Sequence, residues 1–233
     1  MKPNTSFFLL LASVSFATAT HAAELKITPL DAPNAKTEGA AAANAISPEL
    51  SQAIVAEGAM KLENPVGING YFGYALDGPL SPAAGDVQSK DHQVEATKTE
   101  PDKNTYLVLD GQTGPDGAYN YGTHFLFQGH ENGVHKDERP QGYLTRVNLD
   151  ADEAHRVTLM AVADMAGTSL PFIDGSTWNP FSRHLLLTGE EGEEGGLWQA
   201  TAAFPSKVDD LRGVAGIGSY EGVQLDKNGT VWL

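Results

Sequence analysis

Residues 174–194 read DGSTWNPFSRHLLLTGEEGEE. Leu185, Leu186 and Leu187 form a continuous apolar run bounded by turn residues, the pattern of a short strand buried on both faces. A polar turn at Asp174-Gly175-Ser176-Thr177 and an aromatic-proline corner at Trp178-Asn179-Pro180-Phe181 come before it. Glu190 and Glu191 follow directly on Thr188-Gly189, so at least one carboxylate falls at the end of that strand. Glu193-Glu194 and Gly195-Gly196 then lead into a second strand at Leu197-Trp198-Gln199. Four carboxylates this close repel one another and titrate upward unless a cation or solvent relieves them. Two readings stay open: a site for a hard cation such as calcium, which takes carboxylate and carbonyl oxygens, and a solvated acidic hairpin tip.

Working outward, short apolar runs separated by Gly, Pro, Asn and Asp recur from Asn64 onward. Strands are expected at residues 70–76, 105–109, 124–128, 143–149, 156–162, 183–188, 197–200 and 223–225. Residues 143–149 alternate in polarity, which predicts a half-buried antiparallel strand. Many short strands at near-regular spacing give an all-β fold of sandwich, barrel or propeller type. One short N-terminal helix is expected after Ser47-Pro48-Glu49, with Ser as cap, Pro at the first helical position and Gly58 as the stop. Residues 80–102 are polar and poor in strand formers, the mark of a mobile surface loop. Asn228-Gly229 between residues 223–225 and 230–232 is a strong hairpin signal. The chain stops within the second of those strands, as expected of a fold cut short of completion.

The first 22 residues, MKPNTSFFLLLASVSFATATHA, carry one lysine, a short apolar stretch and small residues before a cut near Ala22. This is the pattern of a secretory signal, too short to span a bilayer, and it directs the chain to the periplasm or outside the cell. Residues 23–60 read as a flexible lead with the short helix, and residues 61–233 as a partial β domain. The chain carries a formal charge of -15, and removing the signal takes away Lys2 and no acid, giving -16. Such a field disfavours nucleic acid and anionic membrane surfaces. There are no cysteines, which excludes disulfides, thiolate zinc sites and thiol catalysis.

Other candidates have plainer explanations. His124, His130 and His135 fit no metal-ligand spacing and read as exposed loop histidines, while His184 reads as structural. Residues 110–117 look superficially like a calcium loop but lack its terminal acid, so a pair of turns is expected. Trp178 and Trp198 could stack on a sugar, and burial explains them more simply. No Gly-x-Ser-x-Gly elbow or phosphate loop occurs.

Five stretches carry a family resemblance: GSTWNPFSRHLLLTGEE (175–191), GGLWQA (195–200), GVAGIGSYEGVQLDKNGTVWL (213–233), NYGTHFLFQGHENG (120–133) and GYLTRVNLDADEAHRVTLMA (142–161). In their order along the chain they resemble the bacterial PhoX-type alkaline phosphatases and their relatives of unknown function, over roughly the second half of the chain. The resemblance implies an exported β-propeller, incomplete in this chain, with a central calcium site and, in the true phosphatases, iron. It implies metal-dependent hydrolysis of phosphate monoesters with a small phosphorylated substrate. Carried over by position, Glu190 or Glu191 and Glu221 become metal ligands. The phosphatases place a cysteine near the turn that here reads Asp174-Gly175-Ser176-Thr177. Without that thiolate, oxygen from Asp174 or Ser176 shifts preference from iron toward calcium or magnesium. The rival expectations are a calcium-stabilised binding or interaction propeller without turnover, and a truncated, inactive member of the family.

Overall fold

Antiparallel meanders of four strands are the repeating unit of this chain. The computed structural model describes residues 27–29, 46–67, 69–74, 99–131, 142–190 and 195–233; Glu191, His135 and the secretory segment lie outside them. The chain divides into two units, Met1–Ala53 and Ile54–Leu233.

In the first unit the expected helix does not form. Ser47 Oγ donates to the Thr28 carbonyl at 2.7 Å, and Thr28 donates from its backbone N–H to Glu49 at 3.2 Å and from its hydroxyl to the same carboxylate. The side chains that would cap and charge the first helical turn are thus committed to a neighbouring segment, and only a turn closed by Leu50 N to Ser47 O remains. In the second unit, Val55 and Ala56 instead pack against a core cluster, with no helical hydrogen bonding.

The second unit begins with the hairpin β1 (Lys61–Val66) and β2 (Asn69–Tyr71). A first meander follows, β3 (Glu100–Val108), β4 (His124–Glu131), β5 (Tyr143–Asn148) and β6 (Val157–Ala161), with a 3-10 turn, η1 (Glu153–His155), before β6. A second meander repeats it with β7 (Ile173–Asn179), β8 (His184–Gly189), β9 (Gly196–Ala200) and β10 (Val208–Asp210). One helical turn, α1 (Arg212–Ala215), and the hairpin β11 (Gln224–Leu225) and β12 (Val231–Trp232) complete the described elements. Among the described residues the fold is all-β, with no closed barrel and no helix long and apolar enough to cross a membrane.

The apolar pattern explains these layers. Leu185 and Leu187 of β8 point into the main core with Phe125, Phe127, Leu144, Ile173 and Trp198, while Leu186 points the other way, onto Leu197 and Val223. The strand is therefore buried on both faces, and each leucine contributes about 1.5–3 kcal/mol. β5 departs from expectation, since all six residues are buried. Its polar side chains have partners there: Asn148 donates to the Tyr121 carbonyl at 2.7 Å, and Arg146 donates through Nη2 to the Thr113 carbonyl at 2.9 Å and lies over the Tyr121 and Phe125 rings at 5.2 and 5.0 Å, its Nε and Nη1 making no hydrogen bond. Asn64 closes the free edge of β6, its amide bonding the Leu159 N–H and C=O at 2.8 and 3.0 Å. Trp198 is buried, whereas Trp178 is only half-buried.

β3 starts at Glu100, so the last residues of the supposed mobile loop are strand, and β7 covers what reads as a polar turn. Asn179 makes the β7–β8 turn: its Oδ1 accepts from Phe181 N and Ser182 N, and Arg183 takes a φ of 57°. Gly229, with a φ of 85°, makes the expected β11–β12 turn.

Candidate metal centre

The first strands of the two meanders, β3 and β7, lie side by side, and β4 also packs on β7. Ser176 Oγ donates to the Lys103 carbonyl at 3.1 Å and shares a hydrogen bond of 2.8 Å with Thr105 Oγ1. This seam brings together three carboxylates from three strands. Asp102 sits at an irregularity in β3 between Pro101 and Asn104, Glu131 is the last residue of β4, and Asp174 occupies an irregularity in β7 between Ile173 and Gly175. Irregularities of this kind re-aim a side chain out of the ladder. One oxygen from each of Asp102, Glu131 and Asp174 lies within 4.8 Å of the other two.

Two glycines allow this approach. Any side chain at Gly129 would collide with Ile173, meeting its Cβ and its carbonyl oxygen at 2.8 Å. A Cβ at Gly175 would lie 2.9 Å from Gly222 Cα and 3.0 Å from the Glu221 carbonyl oxygen.

Asp174 is 7% exposed, and its Oδ2 is buried without a hydrogen-bond partner. Burial first, and then the adjoining Asp102 and Glu131 carboxyls, push its pKa up to about 9, with Glu190 adding to the rise. Glu131 is likewise raised, chiefly by burial, with Glu100, Glu190 and Asp102 opposing its ionisation. A buried carboxylate oxygen without a partner is costly. A proton relieves it, as the raised pKa describes, and so would a divalent cation. Calcium binds oxygens at about 2.3–2.6 Å, so two ligands on opposite sides of one ion stand about 5 Å apart. The three oxygens, all within 4.8 Å of one another, are near enough for one ion to span, and an all-oxygen donor set suits calcium or magnesium over zinc or iron.

Of the ligands expected from sequence, Asp174 is in this group, and Glu190 follows β8 close enough to raise both Asp174 and Glu131. Glu191 is outside the described residues. Glu221 is exposed; its carbonyl, not its carboxylate, lies over Gly175 and accepts from Lys103 Nζ at 2.7 Å. Asp102 and Glu131 escaped sequence reasoning, the first assigned to a loop and the second noted only beside His130. The available signal was the repeat itself, since Asp102 and Asp174 both lie near the start of the first strand of a meander.

His130 corrects another expectation. It is fully buried in β4, stacked on Tyr143 at 4.2 Å and 6° and edge-on to Phe72 at 5.0 Å, with Nε2 2.7 Å from Thr145 Oγ1. Burial lowers its pKa to about 3 and keeps the ring neutral. His124 is exposed and paired with Asp150 at 3.0 Å, and His184 bonds the Ser182 carbonyl through Nδ1 at 2.7 Å. Residues 110–117 carry bends and lead into one turn, closed by Tyr119 N to the Asp116 carbonyl at 3.2 Å, where a pair of turns was expected. No family model, no curated protein and no solved structure matches the chain.

Proposed function

We propose that this chain is an exported, metal-dependent, phosphatase-like protein whose clustered carboxylates hold calcium for work on phosphate monoesters. The observation that carries the reading is the meeting of Asp102, Glu131 and Asp174 around a buried, unpartnered Asp174 oxygen. Asp102, Glu131 and Asp174 would hold the ion, with Glu190 beside them. A bound ion there supplies positive charge and Lewis acidity toward phosphoryl oxygens. The chain's own part is to fix the three carboxylates through the β3–β7 seam. Two successive four-stranded meanders with neighbouring first strands also suit the propeller architecture that the resemblance implies, and the secretory pattern suits a periplasmic or secreted location.

A calcium-stabilised binding or interaction protein without turnover is the second reading, and one observation favours it. Ser176, in the segment near which the phosphatases carry their cysteine, has its hydroxyl committed to Lys103 and Thr105, so that hydroxyl is not free to act as a nucleophile. Hydrolysis of a generic phosphomonoester by the mature chain, with calcium and with chelator, separates the two. Calcium-dependent turnover that falls at least tenfold in Asp174→Asn supports the enzyme. A folded, calcium-binding chain without turnover supports the binding protein.

A further inference from the structure

We infer that His155 is a proton-operated clasp that fastens the 110–123 loop to the turn between β5 and β6. The imidazole touches both sides of that junction. On its own side, Nδ1 lies 2.8 Å from Asp152 Oδ1, the atom that also caps η1 by accepting from His155 N. On the loop side, Nε2 lies 3.6 Å from Asp116 Oδ2, and the ring lies flat on Tyr119 with centroids 3.7 Å apart and planes at 11°. The Tyr119 hydroxyl in turn accepts from Asp152 N at 3.1 Å.

Both ring nitrogens therefore face carboxylates. A neutral imidazole has one N–H, so whichever acid it serves, its other nitrogen turns a lone pair toward the second. Only the imidazolium attracts both. The titratable and charged groups that face it are Asp152 and Glu153 from its own turn, Asp116, Tyr119 and Tyr121 from the loop, and Glu63 from β1. The hydrogen bond to Asp152 leads in raising its pKa, burial opposing, and Glu63 and Asp116 add to the rise. The clasp is thus closed below the ordinary histidine value near 6.5 and is lost as pH rises through the higher folded value.

The loop it fastens is a cover. Thr113 accepts from the buried Arg146, and the Tyr121 hydroxyl donates to Glu63 and accepts from Asp116 N at 3.1 Å. Release at alkaline pH frees the edge of this cover while the meander beneath stays paired. In an exported protein, that makes the loop's opening responsive to the external medium.

Site-resolved amide hydrogen exchange of the mature chain at pH 5.5 and 8.5, corrected for intrinsic rates and done with calcium and with chelator, tests this. The expected result is that protection across residues 116–122 falls several-fold at the higher pH in both conditions, with β5 unchanged where calcium is present. His155→Gln should remove that response, and Asp116→Asn, which can still accept from Ala118 N, should shrink it. His124→Gln, which removes the other histidine beside the loop, should leave it intact. Equal protection at both pH values, or a full response in a folded His155→Gln or Asp116→Asn chain, would overturn the proposal.

Discussion

Gly129 of β4 runs so close to Ile173 of β7 that a Cβ at residue 129 would meet Ile173 Cβ at 2.8 Å. Two residues on from Gly129 is Glu131, and one on from Ile173 is Asp174, so this bare contact sets the spacing of two of the three clustered acids. Gly129→Ala should destabilise the fold by about 1–3 kcal/mol, the cost of overpacking a filled interior. It should also weaken calcium binding, since the strands must part. Urea denaturation and a calcium titration on the same variant check both effects.

Asp174 gives the fold an unusual pH dependence. Its pKa is pushed up to about 9 by burial and by its acidic neighbours, whereas an unfolded aspartate titrates near 3.9. Between those values the folded chain binds more protons than the unfolded one, so stability falls as pH rises. With chelator present, the melting midpoint should decline from pH 5 to pH 9, and Asp174→Asn should flatten that decline. Added calcium should restore the midpoint at the alkaline end, because it binds the ionised folded form.

Asn64 stands in for a strand at the edge of β6, satisfying the N–H and C=O of Leu159. Asn64→Ala leaves both groups without their partner and should cost about 1–3 kcal/mol. It should also increase self-association through the uncovered edge. Denaturation and light scattering at matched concentration read the two consequences.

Leu187 is 1% exposed in the main core. Leu187→Ala should cost about 2–5 kcal/mol through lost burial and the cavity left behind. The same change at exposed Ile54 should cost less than 0.5 kcal/mol. Paired thermal melts distinguish them.

The apolar strands were legible because their signal is local. Leu185 to Leu187 announce a strand buried on both faces, and Asn228-Gly229 announces a hairpin, since each depends on residues adjacent in sequence. β7 was hidden because Asp174, Gly175, Ser176 and Thr177 have turn chemistry, and it is pairing with β8, together with the seam against β3, that makes a strand of them. The helix expected after Ser47 failed for the converse reason: its cap found Thr28 instead of a helical N–H. At the site, Asp174 was reached only through the family resemblance, as an oxygen donor where the phosphatases carry a cysteine. Asp102 and Glu131 were not, because their meaning arises from tertiary juxtaposition: Asp102 lies 72 positions before Asp174. Arg146 and His130 mislead in the same way, as polar residues whose burial depends on partners far along the chain.

The most direct test of the central claim is a calorimetric titration of calcium into the mature chain, alongside Asp174→Asn, Glu131→Gln and a control, Glu153→Gln. The account predicts a saturable site with a dissociation constant of about 1 mM or tighter. It should weaken at least tenfold, about 1.4 kcal/mol, in the first two variants and stay unchanged in the control. A folded chain that takes up no calcium, or variants that bind as tightly as the parent, would contradict it.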